Sequence, residues 1–189
     1  MARPSSWTST HADFYPSKVV CVAVLPIRTF GDPVLRQPAR EVGKVTDLHR
    51  RLAKDMIETM REAPGVGLAG PQVGVVERIF VWEVGEEGGV LIDPKIVERS
   101  EETFTDEEGC LSIPGLTFPV ERSYRVTVEA LDEMGRAVRV SGEDLIARVF
   151  QHEIDHLDGI LFIDRLSEEH RREAMAILRD QALGLHPSS

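Results

Sequence analysis

The chain has 189 residues, 42% hydrophobic and 29% charged, with a formal net charge of −10 at pH 7. That length and balance suit one globular domain with a sizeable core and exclude a disordered or fibrous chain. No apolar run approaches membrane-spanning length, and the acidic surplus argues against direct nucleic-acid binding, which needs clustered Lys and Arg.

Residues 1–21 are Ser/Thr-rich and read as a poorly ordered N-terminal extension, with an organellar transit peptide as the minor alternative. A single domain is expected over residues 22–189. The apolar stretch Val19 to Ile27, broken by Cys21 and Pro26, predicts a strand entering the fold. Leu48, Leu52, Met56 and Met60 recur every four residues and predict a helix over 47–62, stopped by Ala63-Pro64-Gly65. The glycine-rich run from Gly65 to Gln72 then reads as a tight loop. It follows a helix and lacks the Lys-Ser/Thr of a phosphate-binding loop.

Strands are expected over 78–84 and 125–131, and Asp132-Glu133-Met134-Gly135 turns the second into another over 136–140. Helices follow over 143–157, with a Ser141/Asp144 capping box, and over 167–182. The sum is an α+β fold of mainly antiparallel sheets packed around a central motif-bearing helix, with one helix in the N-terminal half and one at the C-terminus.

The motif is His152-Glu153-Ile154-Asp155-His156. Two imidazoles four residues apart on a helix point at one spot and can share a metal ion, while the intervening carboxylate can take a proton from a metal-bound water and pass it on. Leu145 and Val149 continue the same face, so they are candidate lining for an apolar substrate side chain. Gly159 supplies the helix stop.

A catalytic site needs a third protein ligand and one open position. Phe162 stands where an HExxHxxGxxH protease would have its third His, and Glu168, Glu169 and Glu173 sit among alternating acids and bases that read as a solvated helix face. Cys110 is the remaining candidate. The other cysteine, Cys21, reads as a buried thiol in an apolar stretch, and nothing marks the chain for a disulfide.

Three blocks in order, GVGLAGPQ over Gly65–Gln72, EGCLS over Glu108–Ser112 and QHEIDH over Gln151–His156, resemble the peptide deformylase family, and the likeness runs from about residue 22 to 185. The resemblance implies a metal-dependent hydrolase that removes the formyl group from the N-terminal formyl-methionine of newly made polypeptides. It implies Cys110, His152 and His156 as ligands of one divalent ion, Fe2+ in the cell with Zn2+ or Ni2+ as alternatives. Metal-bound water would be the nucleophile and Glu153 the general acid and base, with Gln72 and the Leu111 backbone N–H as donors to the oxyanion.

By the same resemblance Val66, Gly67 and Gly109 hold the peptide through main-chain pairing, and Val66, Leu145 and Val149 would favour methionine. Gly70 stands where many relatives carry Ala, and Thr117 where some carry Arg; both are expected to affect substrate affinity. The partners implied are formyl-methionyl nascent peptides in the cytoplasm, with transient proximity to the ribosome. Stable docking there is not expected, since Arg171, Arg172 and Arg179 are offset by neighbouring acids. The rival reading is an HExxH metallopeptidase, which predicts a carboxylate or His as third ligand and indifference to the loss of Cys110.

Overall fold

The computed structural model describes residues 22–184. Among them are the helices α1 (Asp47–Glu62), α2 (Asp144–Leu157) and α3 (Glu168–Ala182). The strands are β1 (Gly67–Ala69), β2 (Ile79–Val84), β3 (Glu87–Arg99), β4 (Thr103–Cys110), β5 (Ile113–Ser123), β6 (Arg125–Leu131) and β7 (Ala137–Glu143). Five strands form one antiparallel sheet in the order β1-β2-β3-β6-β7, and β4 and β5 form a separate two-stranded ribbon. This is the α+β arrangement expected from the sequence, with the motif helix at its centre.

β2 shows why. Its side chains alternate across the sheet, and both faces are covered. Ile79 and Val81 pack with Ala53, Met56 and Met60 of α1. Phe80 and Trp82 pack with Ala147, Phe150 and Ile154 of α2. A strand buried on both sides reads as a continuous apolar run, as this one does. The ring of Phe150 stands edge-on to Trp82 at a centroid distance of 4.9 Å and is fully buried. A third cluster joins Ile113, Leu116, Phe118 and Val120 of β5 to Leu161, Phe162 and Leu178, so the ribbon rests on the C-terminal segment.

Several expectations need correction. Residues 22–27 join no sheet; their backbone is held by side chains of α1, with Ala23 N donating to Asp55 Oδ1 and Leu25 N to Thr59 Oγ1. The rest of that expected strand, Cys21 included, lies outside the described residues, as does the poorly ordered extension expected over residues 1–21. Leu48 is exposed, and Ala53 takes its place on the buried stripe of α1. Ser141 does not cap α2: it belongs to β7 and bonds Thr127, and Glu143 is the N-cap without a side-chain bond. The run after α1 is not all loop, because Gly67–Ala69 pairs with β2.

β3, β4 and β5 carry poor sequence signals for physical reasons. Asp93-Pro94 looks like a breaker in β3, but a register shift between Ile92 and Lys95 absorbs it, with Asp93 at a positive φ of 51° and its carboxylate accepting the Val42 and Gly43 N–H groups. β4 is acidic, and β5 holds two prolines, which a two-stranded ribbon tolerates because half its backbone groups have no ladder partner.

Phe150→Ala removes the ring that joins α2 to the sheet. The variant should lose about 3–5 kcal/mol of stability, seen as a lower urea midpoint with an unchanged slope.

Candidate metal centre and its cleft

Every residue of α2 from Ala147 to Leu157 is buried, including the charged ones of the motif. The helix therefore delivers polar groups into the interior, where each needs a partner. His152 Nδ1 lies 2.7 Å from a carboxylate oxygen of Glu108 on β4. An ionised carboxylate only accepts, so Nδ1 carries the proton and Nε2 is left with its lone pair facing into the site. His156 Nε2 is 3.2 Å from that Nε2 and 3.2 Å from Cys110 Sγ. One donor atom from each of Cys110, His152 and His156 lies within 4.8 Å of the others.

These three donors fit a divalent cation. A sulfur and two ring nitrogens converge with few protons to share, and His156 Nδ1 is buried without a partner. Thiolate and imidazole donors are the set that zinc and ferrous iron accept. Burial works against the charge on the thiol, yet the charge of His156 and hydrogen bonds with both histidines outweigh it and hold Cys110 well below its ordinary pKa. Burial likewise opposes protonation of His152, but Cys110 and Glu108 raise it well above its usual value. Both shifts have one cause, the attraction between thiolate and protonated imidazole, and a cation held by the three donors would supply that positive charge in place of the Nε2 proton.

Glu153 is buried beside them, and its Oε2 has no hydrogen-bond partner. Burial pushes its carboxyl up to about 7 against the pull of the two imidazoles. The backbone of β1 passes directly over it: a Cβ on Gly67 would clash with the Glu153 carboxylate. Gly67 is thus required by a close approach and not by a turn.

Gln72 is fixed by its own carbonyl, which accepts the Ala69 N–H at 2.7 Å. Its NH2 group therefore faces Ser112 Oγ at 3.2 Å and Cys110 Sγ at 3.7 Å. Ser112 N also donates to Cys110 Sγ at 3.4 Å. Leu111 sits in the turn between β4 and β5 and packs with the α1 cluster.

A cleft of about 810 Å³ opens over this group. It is lined by Gln72, Cys110, Leu111, His152 and Glu153, and also by Val66, Gly67, Gly109, Leu145, Val149 and Thr117. Val66 and Leu145 are roughly two-fifths exposed on its walls, while Val149 is buried in its floor. The edge strand β1 brings Gly67 to one side, and β4, paired only with β5, brings Gly109 to the other. Gly70 does not line the cleft: a Cβ there would meet the carbonyl oxygens of Val75 and Glu77 at 2.7 and 2.9 Å, which fixes a packing role. Phe162 is buried and stacks on His152, and Glu168, Glu169 and Glu173 are exposed on α3.

The ion network behind the histidines was not legible beforehand. Arg122 donates two bonds to Glu108 and one to Asp155, at 3.1, 2.6 and 2.6 Å. Arg148 Nη1 adds a bond to Glu108 at 2.9 Å, and Arg165 grips Asp155 with two. Burial alone would raise the Glu108 carboxyl, but hydrogen bonds from His152 and Arg122 hold it far below the usual carboxylate range. Gln151 ties α2 to the end of β5, accepting the Ser123 N–H at 3.1 Å and donating to the Ser123 carbonyl at 3.0 Å. The one local signal was Glu108 itself, an acid next to the cysteine block.

The sequence profile described as polypeptide deformylase matches residues 24–172. A peptide deformylase of Acidothermus cellulolyticus is 52% identical over 159 residues, covering 84% of this chain and 88% of that protein. The crystal structure of a peptide deformylase from Thermus thermophilus superposes with a TM-score of 0.80 at 48% identity, covering 86% of this chain and 97% of the other. A Met-Ala-Ser-bound peptide deformylase from Acinetobacter baumannii superposes with a TM-score of 0.74 at 34% identity, covering 77% and 100%. A profile spanning most of the chain, a half-identical relative matched over most of both lengths, and a shared fold agree: this chain belongs to the polypeptide deformylase family.

Proposed function

We propose that this chain hydrolyses the formyl group from the N-terminal formyl-methionine of newly made polypeptides, releasing formate, as one metallohydrolase domain over residues 22–189 that acts where translation occurs, in the cytoplasm. The observation that carries this reading is the convergence of Cys110 Sγ and the two Nε2 atoms, all within 4.8 Å of one another, beside a buried, unpartnered Glu153 oxygen in an open cleft. Cys110, His152 and His156 hold one divalent ion, Fe2+ in the cell, with Zn2+ or Ni2+ compatible with the same donors. When bound, the ion supplies Lewis acidity, polarising the formyl carbonyl and making water acidic enough to act as nucleophile near neutral pH.

The chain's own groups do the rest. Glu153 accepts the proton from the attacking water and delivers it to the departing amine, so one carboxylate serves both halves of the reaction. The Gln72 NH2 and the Leu111 backbone N–H donate to the oxygen that gains negative charge at the formyl carbon. Val66, Gly67 and Gly109 hold the peptide as an added strand between the edges of β1 and β4, and Val66, Leu145 and Val149 receive the methionine side chain. That the Acinetobacter baumannii relative was solved with Met-Ala-Ser bound supports a methionine-led peptide as the ligand. The exposed acids of α3 and the buried Phe162 weigh against the metallopeptidase alternative, since neither offers its third ligand.

Glu153→Gln should keep its metal content but lower formate release from formyl-Met-Ala-Ser by about 10²- to 10⁴-fold; cleavage of an internal peptide bond by the wild type would favour the protease. A base works only when ionised, so wild-type kcat/KM should fall as pH drops through the Glu153 pKa. Burial, working against the two imidazoles, sets that at about 7, and a bound cation favours the ionised form further, so the acid limb belongs below 7 and vanishes in Glu153→Gln. Cys110→Ala should abolish stoichiometric metal binding, read by elemental analysis after anaerobic purification.

A further inference from the structure

Ser112 lies in the turn between β4 and β5, two residues after Cys110. It is fully buried and does not line the cleft. A buried serine needs partners for its polar atoms, and here every one of them leads toward the site. Its N–H donates to Cys110 Sγ at 3.4 Å, its carbonyl accepts the Phe30 N–H at 2.8 Å, and its Oγ accepts from Gln72 Nε2 at 3.2 Å. The backbone carbonyl of Gln72 in turn accepts the Arg28 N–H at 2.7 Å. Two amides of the segment 28–30 therefore hold the backbones of both residues, and the spacing between them does not depend on the serine hydroxyl.

The hydroxyl has a different task. Gln72 Oε1 is anchored on the Ala69 N–H at 2.7 Å. That single bond decides which end of the amide faces the site but not the tilt of its plane. Nε2 carries two hydrogens and has two acceptors near it, Ser112 Oγ at 3.2 Å and Cys110 Sγ at 3.7 Å. The nearer oxygen takes one hydrogen and fixes the plane at a second point. The other reaches the sulfur only at long range, on a side chain that lines the cleft, and so stays available to a ligand there. Without the hydroxyl, the amide is free to turn onto the sulfur.

We propose that Ser112 is a positioning residue for the reaction: its hydroxyl fixes the Gln72 amide so that one N–H is spent on Ser112 and the other is presented to the oxygen that gains charge at the formyl carbon. This deepens the deformylase reading above and rests on it. A donor already in place needs no reorganisation when the charge develops, which is where its advantage lies. Losing one such donor outright costs about 10²- to 10³-fold in kcat, and losing its orientation costs a part of that.

The test is a double-mutant cycle of Ser112→Ala with Gln72→Ala on the metal-loaded full chain. Ser112→Ala removes the hydroxyl and keeps the backbone bonds to Cys110 and Phe30. It should retain the wild-type metal content by elemental analysis. It should lower kcat for formyl-Met-Ala-Ser by about five- to fiftyfold with KM within about twofold, as expected when an interaction made only in the transition state is weakened. In the Gln72→Ala background the same substitution should change kcat by less than about twofold, because the group it orients is gone. In the zinc-loaded, nitrogen-15-labelled protein, the Gln72 side-chain NH2 signals should shift and exchange faster with water in Ser112→Ala. An unchanged kcat, an equal loss in both backgrounds, a loss that tracks missing metal, or unaltered NH2 signals overturns the proposal. Formate release by the wild type separates the two readings: its absence removes both, whereas its presence with an unchanged kcat in Ser112→Ala removes the positioning role alone.

Discussion

The carboxylate of Glu108 organises this molecule's chemistry. By accepting the Nδ1 proton of His152 it turns the other ring nitrogen, with its lone pair, toward Cys110 and His156. Without that acceptor the imidazole could adopt either tautomer, and the three donors would not be directed at one point. Glu108 comes from β4 and His152 from α2, so the centre exists only when ribbon and helix are docked.

Docking is enforced by a second set of charges. Arg122 binds Glu108 and Asp155 at once, joining the residue that orients one imidazole to the neighbour of the other. A buried ion cluster of this kind gains little net stability, because desolvation offsets the Coulomb attraction, but removing one member leaves the others uncompensated. Its effect is to make misregistered packing of the ribbon against α2 costly. Stability comes instead from the apolar layers on either side of the sheet, with Phe80, Trp82 and Phe150 on the α2 face and Ile79, Val81 and Met56 on the α1 face.

Two strand edges bound the cleft, and both are built with glycine where the chain must come close. At Gly67 the constraint is Glu153 itself; at Gly109 it is Thr117, whose Cγ2 would lie 3.1 Å from an added Cβ. Narrow, side-chain-free edges suit a ligand recognised by its main chain.

The sequence by itself determined the helices over 47–62 and near 143–157, the strands with dense apolar or β-branched residues, and the spacing that sets two imidazoles on one helical face. Those features are local: each depends on periodicity over a few turns or on a motif read in order. Leu48 was misplaced because a four-residue repeat says which face a residue shares and not whether anything covers it. Only the tertiary structure decided the acidic and proline-bearing strands β4 and β5, whose burial comes from partners far along the chain, such as Leu161 and Leu178. It also decided the Glu108, Arg122 and Asp155 network, since an isolated acid or arginine gives no sign of being buried until its distant counter-charge is brought against it.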